Sequence, residues 1–202
     1  MSDHKGEISM NTILNIAAGK QLPLNLPKIY FLINTDIMYY HSTLPDIIEK
    51  EWLEWDKSIN KLHYCKSDIY EFMERTKIFF NNVCIYRFLE HVSLDKLTYF
   101  IYLISTITTK NSKIDVIVPN YETLAKMIIS KDFPGDKDFE EHNILLTTEL
   151  LNQPPDPHAT IWTPDRMKYF WELEGRFKLI DINNNFDFDG RDIYIRAIIE
   201  RL

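Results

Sequence analysis

The stretch 12–37, TILNIAAGKQLPLNLPKIYFLINTDI, constrains the fold more than any other part of the chain. Ile13, Leu14 and Ile16 form an apolar run that stops at Ala17-Ala18-Gly19, and a second run over residues 29–33 closes on Asn34-Thr35-Asp36. Short, nearly continuous apolar runs bounded by turn residues suit strands buried on both faces, as in a parallel α/β sheet. Such sheets bind ligands at the carboxyl ends of their strands, where small residues let backbone approach the ligand. An acid that ends the second strand is placed to accept hydrogen bonds from ribose hydroxyls. Together these features outline a site for an adenosine-containing cofactor. A small-small-glycine bend after an apolar run serves equally as an ordinary strand-to-helix turn, and the residues alone leave both readings open.

A length of 202 residues suits one domain, and a hydrophobic fraction of 45% supplies a sizeable core. We expect a flexible segment over residues 1–10 and a single domain over 11–202. The net charge of −7 argues against a protein that tracks a phosphate backbone, so no extended nucleic acid is expected. The polar opening MSDHKGEISM has no apolar core of a secretory leader, and the apolar stretch 97–107 is too short to span a bilayer. A cytoplasmic chain without membrane insertion is the expectation. Cys65 and Cys84 both fall in predicted strands, and no CxxC-type metal spacing exists, so the reading is two reduced core thiols and no metal.

Strand and helix patterns alternate along the rest of the chain, which predicts a three-layer α/β architecture. A helix is expected over 45–57, where Ile48, Trp52 and Trp55 recur at helical spacing. Strands follow at 61–65, 83–86, 113–119, 177–182 and 193–199, the last two as an antiparallel hairpin. Asn81-Asn82 reads as a turn. Helices are expected over 69–75, 94–108 and 121–129, and from Pro164 to a stop at Gly175. Ser67 or Asp68, Ser93 with Asp95, Asn120 and Thr163 stand at the matching N-cap positions. Residues 130–162 form an insertion rich in turn signals, read as an acceptor lid, with Trp162 expected to be buried beneath it. The Asn- and Asp-rich segment 183–192 fails as a calcium loop, because a loop starting at Asn185 would place Arg196 where the bidentate carboxylate belongs. It reads as a polar hairpin connection.

Several of these segments carry a resemblance. LNIAAGKQLPL with INTDI, LEHV at 89–92, VPNYETLAKM at 118–127 and WTPDRMKYFWELEGRF at 162–177 resemble a subgroup of the class I S-adenosylmethionine-dependent methyltransferases, in that order and over nearly the whole chain. That subgroup reads LNLGCG, then LPG and NVDI, then LEHV and VPDFE. Here Ala17-Ala18 stands in place of its Gly-Cys, and Lys20-Gln21 where many relatives carry glycine. The resemblance implies a Rossmann-like fold with a seven-stranded, mostly parallel sheet whose last strand is antiparallel. It implies S-adenosyl-L-methionine as cofactor and S-adenosylhomocysteine as product.

The implied cofactor-binding residues are Asn15, Ala17, Gly19, Asp36, Ile37, Ser67, Asp68, Ile69, Tyr86 and Arg87. Asp36 would serve the ribose, Asp68 with Ile69 the adenine, and Gly19 with Ala17 the close passage of the methionine part. His91, Glu90 and His158 are the implied catalytic residues. An imidazole titrates near neutrality, so His91 can take a proton from an acceptor hydroxyl or amine, with Glu90 orienting it. A histidine at a strand-to-helix junction is also often a hydrogen-bonded structural residue. The implied acceptor is a small molecule or a glycan. The altered 17–21 turn supports an alternative, a degenerate member that acts as a binding partner. A nicotinamide enzyme is disfavoured because no GxGxxG follows the first strand.

Overall fold

The computed structural model describes residues 11–16, 30–35, 61–65, 68–130, 158–188, 190 and 192–202. The expected 17–21 bend, Asp36, Ile37, the helix at 45–57, Ser67 and most of the 130–162 insertion lie outside these residues, as does the N-terminal segment 1–10. The strands are β1 (Asn11–Ile16), β2 (Tyr30–Thr35), β3 (Lys61–Cys65), β4 (Phe80–Tyr86), β5 (Thr108–Pro119), β6 (Phe177–Phe186) and β7 (Tyr194–Arg201). They form one seven-stranded sheet in the order β3-β2-β1-β4-β5-β7-β6. The pairings from β3 through β5 are parallel, and β7 runs against both β5 and β6.

The helices are α1 (Ile69–Arg75), α2 (Leu94–Ile107), α3 (Tyr121–Ser130) and α4 (Pro164–Glu172). They cover both faces of the sheet. On one face Met73, Phe100, Ile104, Met167 and Trp171 of α1, α2 and α4 pack on Leu14, Val83, Ile85, Val116 and Ala197. On the other, Leu124 of α3 packs with Ile13, Cys84, Tyr86, Ile117 and Tyr194. The alternation along β4 and β5 supplies both clusters, because successive side chains of a strand point to opposite faces. In α2, Leu97, Phe100, Ile101, Ile104 and Ile107 are buried at the three-and-four spacing of one helix stripe.

Local chemistry explains the helix starts. The Asp68 carboxylate accepts from the Tyr70 and Glu71 amides at 2.9 and 3.2 Å and caps α1. Asn120 Oδ1 does the same for the Glu122 and Thr123 amides of α3, and Thr163 Oγ1 accepts from Arg166 in α4. Gly175 follows α4 at φ 63°, a left-handed conformation in which a side chain is strained.

Four expectations are corrected. Asn81 and Asn82 are not a turn but part of β4, because Asn81 is held across the sheet: its Oδ1 accepts from the Thr12 amide at 3.2 Å and its amide donates to Thr12 Oγ1. β5 starts at Thr108 rather than Lys113, the polar residues 109–112 being carried as an irregularity against β4. Asn111 sits there at φ 66°, and the Ser112 hydroxyl donates to the Phe80 carbonyl. Ser93 stands at the start of α2 without capping it through its side chain; its hydroxyl goes to Asp95 instead and holds that carboxyl below the usual range. β6 and β7 extend to Phe186 and Arg201, past 182 and 199, with β7 beginning at Tyr194.

The connection between them is a polar turn. Gly190 takes φ 84° and donates to the Asp187 carboxylate at 2.7 Å.

Candidate active site

The strand order reverses between β1 and β4, whose connections leave in opposite directions. In an open α/β sheet the crevice beyond the carboxyl ends at this switch point is where ligands bind. Asn15, fully buried, sits one residue from the end of β1 opposite Cys84, and Tyr86 ends β4, with Arg87 next along the chain. The Arg87 amide donates to the Ile117 carbonyl at 2.7 Å, continuing the ladder, and the residue then takes φ 53°. A left-handed bend at a bulky residue turns the chain sharply out of the sheet, at a cost of roughly 1–3 kcal/mol that the surrounding structure must hold.

The bend leads into a single tight turn, Leu89–His91. Leu89 and Glu90 are buried, and Phe88 packs on Phe100 of α2 with ring centroids 5.5 Å apart. The segment 158–160 is stitched onto this turn by main-chain bonds: the Glu90 carbonyl accepts from the Ala159 and Thr160 amides at 2.7 and 3.0 Å. The Thr160 hydroxyl adds a bond to the Val92 carbonyl. A third piece joins through α3, since the Tyr121 amide donates to the Trp162 carbonyl at 3.1 Å.

These contacts bring His91 and His158 edge to face, with centroids 4.8 Å apart. The Tyr121 hydroxyl bonds His158 Nδ1 at 2.5 Å. One donor atom from each of Glu90, His91 and His158 lies within 4.8 Å of the others. Glu90 has no exposed surface, so its carboxylate faces two imidazoles in a poorly solvated place. Such a close group of an acid and two imidazoles is suited to move a proton or hold a cation.

The remaining described candidates fall into different places. Asp68 lies on the surface, at the cap of α1 and three residues past β3. Ile69 belongs to the core. The Tyr86 hydroxyl donates to Asp115 at 2.9 Å, and Arg196 grips the same carboxylate with bonds of 3.0 and 2.7 Å, which raises the guanidinium above its ordinary pKa. This Tyr86–Asp115–Arg196 chain ties the end of β4 to β5 and β7. It escaped the sequence reading, although an acid inside the β-branched run KIDVIVP was its visible signal. Burial pushes the Cys84 thiol up to about 12, with Asp115 adding to the effect, so it is no nucleophile near neutral pH. Trp162 does not line the site; it is fully buried in the core, edge-on to Phe170. Among the described residues no helix is long and apolar enough to cross a membrane.

Comparison with solved structures gives the fold. A SAM-dependent methyltransferase from Methanosarcina mazei matches over 96% of this chain and 93% of its own, with a TM-score of 0.58 at 14% identity. The chain has the fold of the SAM-dependent methyltransferases. Magnesium protoporphyrin IX methyltransferase from Synechocystis, solved with bound SAH, matches over 96% of this chain and 75% of its own, at TM-score 0.55 and 9% identity. LaPhzM matches over 95% of this chain but only 50% of its own, at TM-score 0.55 and 12% identity, so the chain spans about half of that protein's length. No known family's sequence profile matches the chain, and no curated protein does.

Proposed function

We propose that the chain transfers a methyl group from S-adenosyl-L-methionine to a hydroxyl or amine of a small-molecule or glycan-type acceptor. The observation that carries this reading is the Glu90–His91–His158 cluster, built at the carboxyl edge of β4 beside the switch point of a methyltransferase fold. The described residues fit a nucleoside cofactor. Asp68 presents a carboxylate, an acceptor for an adenine amino group, just past the carboxyl edge of β3, and Asn15 lies one residue before the end of β1 at the crevice. Ala17, Gly19, Asp36, Ile37 and Ser67 belong to the proposal from the sequence.

When bound, the cofactor supplies a methyl group on a sulfonium whose leaving thioether is neutral. What the chain must add is alignment, and positioning alone can supply much of the rate gain. In this reading His91 takes the acceptor's proton, the buried Glu90 carboxylate favours the imidazolium that results, and His158 is held in its orientation by Tyr121.

Calorimetric titration of the full chain with S-adenosylhomocysteine and with NAD tests the reading. Saturable heat with the first and none with the second is expected, and no heat with the first overturns it. A second result follows from the two duties assigned to Asp68. Asp68→Ala lowers stability by about 1 kcal/mol in urea unfolding, whereas Asp68→Asn keeps the cap oxygen and the stability. Both variants weaken S-adenosylhomocysteine binding if the carboxylate serves the adenine; full affinity in Asp68→Asn removes that role.

A further inference from the structure

We infer that Glu90, His91 and His158 form a binding site for one divalent first-row transition-metal ion of the zinc class. The inference takes its location from the methyltransferase reading, but the donor geometry stands by itself. Two imidazoles and one carboxylate are the donor set of zinc sites that keep an open position, and they select such ions over magnesium or calcium. One donor atom from each residue already lies within 4.8 Å of the other two. A tetrahedral zinc ion, with bonds of about 2.0–2.1 Å, needs donors about 3.4 Å apart. The donors must therefore close by up to about 1.4 Å to hold the ion.

The surroundings are those of a metal centre. Ligating histidines are typically oriented by a partner on the other ring nitrogen. His158 has one in Tyr121, whose hydroxyl meets Nδ1 at 2.5 Å and leaves Nε2 as the ligating atom. The two ligand segments are locked together by main chain, through the Ala159 and Thr160 amides on the Glu90 carbonyl. The buried Glu90 carboxylate would be offset by a dication in the same pocket. Sequence spacing concealed the set, because His158 lies far along the chain from Glu90-His91.

The open coordination position would take water or the acceptor's oxygen. An acceptor hydroxyl held there would lose its proton to water more readily, the electron pair of the O–H bond staying on the oxygen. His91 is then a ligand and cannot also be the base, so the ion replaces the proton-transfer role given to His91 above.

The test uses the full chain, freed of any affinity tag and stripped with chelator. Cobalt(II) is titrated while visible absorption is followed, and zinc(II) is titrated by calorimetry. One equivalent of each is expected, with the intense visible bands of tetrahedral cobalt. In the double variant His91→Ala/His158→Ala, and separately in Glu90→Gln, that equivalent weakens by at least about tenfold. Circular dichroism confirms that each variant is folded; if the double variant is not, Glu90→Gln carries the comparison. Absence of a stoichiometric equivalent in the wild type overturns the inference. So does a folded variant that binds as the wild type does, since the chain's other histidines would then hold the ion. S-adenosylhomocysteine titrated into the same samples separates the two proposals: its loss with metal binding intact defeats the methyltransferase reading alone, and the reverse defeats the metal site alone.

Discussion

His91→Ala lowers kcat by about 10²- to 10⁴-fold and leaves the affinity for S-adenosylhomocysteine as it was. The asymmetry is the informative part. The ring sits on the turn after β4 and meets His158 with centroids 4.8 Å apart. Whether it takes the proton itself or holds an ion that acidifies the acceptor, its contribution is realised at the transition state, and removal should lower kcat and kcat/KM together. Turnover is followed as release of S-adenosylhomocysteine, with a hydroxyl-bearing acceptor chosen by screening. Unchanged turnover at saturating acceptor would show that His91 only supports the turn. Cobalt(II) titration of the variant separates the two chemical roles, because loss of a ligand weakens metal binding whereas loss of a base alone leaves it unchanged.

Trp162→Ala is the substitution expected to damage the fold most. Trp162 is fully buried among Met167, Phe170 and Trp171, and truncating a buried tryptophan leaves a cavity that costs about 3–5 kcal/mol. For a chain of this size that corresponds to a fall of about 6–20 °C in Tm. The same residue's main-chain carbonyl holds the Tyr121 amide. Trp162→Phe should cost much less. It keeps a ring against Phe170 and removes an indole N–H that finds no acceptor among the described residues. A loss below about 1 kcal/mol in Trp162→Ala, by urea unfolding, would be incompatible with this packing.

The parts of the fold legible in the sequence were those written in local chemistry. Caps at Asp68, Asn120 and Thr163, and the apolar stripe of α2, depend on residues within a turn or two of each other, so spacing reveals them. What misled was polar sequence stabilised at long range. Asn81 looks like a turn former until Thr12 on the neighbouring strand is seen to satisfy it, and residues 109–112 look like a loop until Ser112 reaches the Phe80 carbonyl. The candidate site divides in the same way. The turn holding Glu90 and His91 announces itself as LEHV. Tyr121 beside His158, and Arg196 on Asp115, are pairings made by topology, and no local pattern contains them.

The main-chain stitching of Ala159 and Thr160 to the Glu90 carbonyl has an evolutionary corollary. Amide bonds do not depend on which side chains precede them. Residues upstream of His158 can therefore be exchanged, lengthened or shortened while the imidazole keeps its station. Variation in that stretch would leave the pairing of His158 with His91 in place.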